Sequence, residues 1–260
     1  MFNLRKISVI SGVIILCASF GLAQTTKKKT TTKKKTTTTK STTAKTTTTA
    51  QTNSVSDTEI TSGLKEALTK GVRFAVDTLG KENGFLGDTR VKIPLPNSLQ
   101  KLEKGLRLAG QGKAVDEFIG SMNHAAEKAV PVAIDVFVDA IKQMTFDDAR
   151  NILFSGKDDS ATQFFRKTSE ETLRGKFRPI VEDFTAKTGV TQSYKNMIGK
   201  AGFAAQLLGK DATDLDGYVT QKALDGLFFM VAEEEKKIRK DPIGTGSTIL
   251  KKVFGILIGK

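Results

Sequence analysis

Residues 57–260 read as an all-α domain, one unit of about seven to nine helices with a single short extended, proline-containing arm. Three observations predict it. Apolar residues recur at helical spacing along nearly the whole stretch, helix-start and helix-stop signals bracket those runs, and no series of alternating strands appears. No period of 20–50 residues repeats, which argues against a solenoid. About 200 residues can bury a core as one domain without disulfide or metal staples.

Ser56-Asp57-Thr58-Glu59 has the form of a capping box, and Ile60, Leu64, Leu68, Val72, Ala75 and Leu79 follow until Gly80 stops the helix. Glycines then mark turns from Asn83 to Gly87. Val91, Ile93 and Leu95 alternate with polar or proline residues, so this stretch reads as the extended arm, confined by Pro94 and Pro96 to an edge or loop. Asn97 with Gln100 opens a second helix bearing Leu99, Leu102 and Leu106. A third runs from Ala114 with Val115, Phe118, Met122 and Ala125 inward. Pro131 either kinks it or begins the next helix. Val132 to Met144 is apolar on most sides and is expected to be the most buried helix.

Thr145 to Asp148 caps a short helix ending near Gly156. Asp159 or Ser160 begins a long one, interrupted at Pro179 and closed by Gly189. A short helix is expected around Tyr194 to Ala201. Another runs from Asp214 or Asp216 to Lys240, stopped by Asp241-Pro242. The last element places Ile249, Leu250, Val253, Phe254 and Leu257 on one face, suited to docking on the bundle or touching a membrane.

The N-terminus predicts export to the periplasm or cell envelope. Arg5 and Lys6 precede an uncharged apolar run from Ile7 to Phe20. Gly21-Leu22-Ala23 then offers small residues for cleavage, so 1–23 reads as a signal peptide. The run is short for a membrane span. Cys17 is the only cysteine, and bulky Leu16 before it argues against lipoprotein processing. Cleavage after Ala23 leaves no cysteine for a disulfide, a thiolate nucleophile or a metal site.

Residues 24–56 form a threonine–lysine tether, expected to be disordered and extended. Residues 1–56 hold ten basic residues and no acid, which leaves 31 basic against 28 acidic residues beyond them. The basicity therefore belongs to the tether. Lys27, Lys28, Lys29, Lys33, Lys34, Lys35, Lys40 and Lys45 are the candidates for docking on an anionic envelope surface or polymer; a passive spacer is the alternative. No aromatic residue is interleaved, so no sequence-specific nucleic-acid binding is expected.

Gly84-Phe85-Leu86-Gly87, Val91 to Pro96, Ala161 to Arg166, Lys222 to Phe228, Glu233 to Arg239 and Leu250 to Gly255 occur in an order that resembles one bacterial family. That family is the uncharacterised domain of unknown function 4197. The resemblance spans essentially all of 57–260 and implies an exported, envelope-associated helical protein. It implies no activity, and the tether lies outside the family pattern.

No catalytic residue and no cofactor is predicted. His124 is the only histidine and no nucleophile motif accompanies it, so a histidine-based metal site is not expected. Asn123 and Glu127 stand at i, i+4 beside it and form a candidate binding cluster, or else a solvated helix face with local hydrogen bonds. Lys222 and Asp225 set two charges at i, i+3 in an apolar stretch, either a structural ion pair or a polar contact in a ligand pocket. Arg166 is a further binding candidate. Asp147-Asp148 and Asp158-Asp159 are assigned to helix caps, and Glu233-Glu234-Glu235 to a charged, solvated helix end. The leading reading is a non-enzymatic module that binds a partner or ligand near an anionic surface. The alternatives are a carrier of a hydrophobic small molecule, motivated by 16 Phe against no Trp, and an enzyme using Asp, Glu, Lys or Arg.

Overall fold

The computed structural model describes residues 56–189 and 213–241, with Gln192 and Tyr194 between them. The expected signal peptide, the expected tether apart from Ser56 and the expected last helix lie outside the described residues, as does most of the short helix expected around Tyr194 to Ala201. Among the described residues there is no β-strand.

Local signals set most helix ends. Helix α1 spans Asp57–Leu79, with the Ser56–Glu59 capping box formed in both directions. The arm follows over 81–96 without regular structure, and a 3₁₀ turn at Asn97–Leu99 leads into α2, Gln100–Leu108. Asn97 does not cap the helix backbone; its side-chain oxygen accepts from Gln100 Nε2 at 2.9 Å. Helix α3 spans Gly112–Ala129. Pro131 then sits in a 3₁₀ turn, Val130–Val132, that joins it to α4, Ala133–Gln143. Helix α5, Phe146–Phe154, starts on a Thr145–Asp148 capping box.

Helix α6 runs unbroken from Ser160 to Lys187, so the expected interruption at Pro179 is absent. Proline there removes one N–H from the ladder. Leu173, Phe177 and Val181 are fully buried on either side, and their packing holds the helix together across the gap. Helix α7 spans Leu215–Lys240, with the Asp214 side chain accepting from Gly217 N.

Helix α7 packs against α1, α3 and α6. It carries thirteen buried residues, whereas α4 carries three. The sequence reading had placed greatest burial on α4. Packing reverses this, because α4 touches α1 and α6 along one stripe and leaves Ile134, Val136 and Val138 part-exposed. The core is phenylalanine-centred: the Phe137 ring lies 5.0 Å from that of Phe165 and 6.0 Å from that of Phe228.

Candidate functional site

The arm is fastened to α3 by the two side chains singled out beside His124. Asn123 is fully buried and pairs with both backbone groups of one residue. Ile93 N donates to its Oδ1 at 2.8 Å, while its Nδ2 donates to Ile93 O at 2.9 Å and to Ile119 O at 2.8 Å. One turn on, Glu127 is also buried, and its carboxylate accepts from Asn83 N, Phe85 N and Leu86 N at 3.0–3.2 Å. His124 Nδ1 donates to the same carboxylate at 2.7 Å. The helix face is therefore not solvated here. A turn with no secondary structure of its own would bury unpaired N–H groups, and these two side chains supply the acceptors.

Glycines let the arm come close. A Cβ at Gly84 would stand 2.4 Å from the Leu79 carbonyl oxygen. At Gly226 of α7 it would stand 2.7 Å from Phe85 Cε1 and 3.3 Å from Val91 Cβ. Tyr218 hydroxyl donates to Pro94 O at 3.0 Å, which ties the arm to α7 as well.

A second buried carboxylate does similar work elsewhere. Glu235 accepts from Ala161 N, Thr162 N and Thr162 Oγ1, each at 2.9 Å, and so caps the start of α6 from another helix. Arg239 pairs with it at 2.7 Å and also donates to Ile152 O at 2.9 Å. The expected local cap, Asp159, instead accepts from Gln163 Nε2. The glutamate run is thus not a solvated helix end, since Glu234 and Glu235 are both buried. Glu235 was missed as a partner of α6 because its contacts lie more than seventy residues away; the Arg at i+4 was the one local sign.

The remaining candidates are on the surface. Lys222 Nζ stands 3.7 Å from an Asp225 oxygen, with both side chains more than 40% exposed, and Gln221 Nε2 also donates to Asp225. Surface pairs of this kind contribute little. Arg166 lies over the Phe228 ring, 4.4 Å from its centroid, and pairs with Glu170. No hydrogen bond or ion pair joins Arg166 to Lys222 or Asp225. Among the described residues no three His, Cys, Asp or Glu side chains converge as a metal site.

An apolar groove between α2 and α3 is the concavity that sequence reasoning missed. Its volume is about 190 Å³, and Leu95, Leu99, Leu102, Leu106, Val115 and Phe118 form most of its wall. Glu103 and Gln111 also line it. Tyr194 contributes to the wall, its ring centroid 5.6 Å from that of Phe118, and burial pushes its phenol up to about 12. The leucines were legible as a helix stripe; that no helix among the described residues seals them was not.

The family model described as Protein of unknown function (DUF4197) matches residues 54–255. The chain belongs to that family. The matched span takes in the arm, both carboxylate clamps and the groove, and it leaves out nearly all of the tether. No curated protein and no solved structure matches the chain.

Proposed function

We propose that this DUF4197 protein is an exported, envelope-associated binding module that carries a small hydrophobic molecule in the groove between α2 and α3. Its threonine–lysine tether holds it near an anionic surface. The observation that carries this reading is the groove: a concave, leucine-lined space beside a helix that buries none of its own residues. An apolar cavity of about 150 Å³ accommodates a benzene-sized ring. A groove of about 190 Å³ therefore suits one ring or a short run of methylenes, with the rest of the molecule leaving by the open side. The buried carboxylates support a binding role over a catalytic one, because Glu127 and Glu235 are each occupied by three or more hydrogen bonds.

Native mass spectrometry of the full chain, purified gently from the envelope of the producing cell, tests the proposal. The expected result is a co-purifying mass that disappears on denaturation and on Ala114→Phe, which places a ring in the groove. A bare protein mass overturns the reading.

A further inference from the structure

We infer that the outward edge of α2 lies on an anionic lipid bilayer. This goes beyond the groove, because it concerns the side of the helix turned away from α3. Helix α2 has no buried residue, an unusual condition for a helix kept within a folded unit. Leu108 is 90% exposed. Leu108 shares this edge with Lys101, Lys104 and Gly105, while Leu102 belongs to the groove wall.

Charge selects the partner. Gln100–Leu108 holds Lys101, Lys104 and Arg107 against Glu103 alone. Arg107 is taken up by Glu103 at 3.0 Å and Asp116 at 2.7 Å. Lys101 and Lys104 make no ion pair among the described residues, so their charge is available to anionic headgroups. Lysine stems reach outward over neighbouring apolar surface, which lets Leu108 enter the acyl boundary while the ammonium groups stay at headgroup level. No helix among the described residues is long and apolar enough to cross a membrane, and α2 with nine residues would lie in the interface. The tether's lysines are drawn to the same charged surface and raise the concentration of α2 there.

The chain contains no tryptophan, so Leu108→Trp installs a sole indole reporter at a position with nothing to disrupt. The full chain carrying it is titrated with vesicles of phosphatidylcholine and phosphatidylglycerol. The expected result is a blue-shifted emission that brominated lipids quench. Adding Lys101→Glu and Lys104→Glu should raise the lipid concentration at half-shift about tenfold or more. Vesicles that float the protein while the emission stays unshifted overturn the inference, since the tether alone then holds it. Absence of any binding overturns it too. Neither Leu108 nor the two lysines lines the groove, so a ligand mass in native spectra is unaffected and the two proposals fail separately.

Discussion

Helices α7 and α2 both carry leucines and charged residues in alternation, yet the fold uses them in opposite ways. On α7, thirteen of 26 residues are buried, and even a glutamate is drawn inward to cap another helix. On α2, none of nine is buried, and two lysines keep their charge free of ion pairs among the described residues. The difference shows what burial does to a polar residue. Inside, it must serve backbone groups, because an unpaired donor or acceptor there costs about 1–3 kcal/mol. Outside, it has no such obligation and is available to something beyond the chain.

The comparison breaks most sharply at Glu127, which does for the arm what Glu235 does for α6. Glu127→Ala strands three backbone N–H groups and should cost about 3–5 kcal/mol, read from the midpoint of denaturant unfolding. A cost below about 1 kcal/mol would show that the arm's turn is solvated and not held. Gly226→Ala probes the close approach of arm and α7. The added methyl meets Phe85 at 2.7 Å, and overpacking of this kind should cost about 1–3 kcal/mol in the same experiment.

Around the groove the expected effects shrink. The Tyr194 phenol holds its proton to about 12 when folded, against an ordinary value of 10.0. Its contribution is complete below about pH 10 and is lost as pH rises through that window. Tyr194→Phe should therefore recover stability on the order of 1 kcal/mol at the alkaline end and change little at neutral pH. Phenolate absorbance of Tyr194 appearing near 10 would mean that the groove wall is wet. Leu108→Asp on α2 should alter stability by less than about 0.5 kcal/mol, because nothing packs on that side chain. A larger loss in thermal unfolding would place Leu108 in the folded unit's own packing.

Features that depend on neighbours in the chain were legible in the sequence. Ser56 with Glu59, Thr145 with Asp148, and Asp214 at the head of α7 all cap as their spacing requires, since each cap lies within three residues of the N–H it satisfies. Asn123 and Glu127 stood out as a polar pair on one helix face, but their partners lie about 30 to 44 residues away, and no periodicity reports such a contact. The cap of α6 failed to read for the same reason, with Asp159 close by and Glu235 occupying the site. Burial of α4 was overestimated because composition counts apolar residues and not the surfaces that meet them. The groove depends on a mismatch between two helices, and each helix taken alone looks complete.

Asn123 has one more effect, on what the protein avoids. An extended segment with free backbone groups is a template on which another chain can add a strand, the usual first step of sheet-type aggregation. In the arm, Ile93 has both its donor and its acceptor taken by one side chain, and Pro94 and Pro96 have no N–H to offer. The segment that most resembles a strand is thereby closed to recruitment. Where copies of the chain are concentrated, the arm therefore offers its neighbours no backbone groups at Ile93 to pair with.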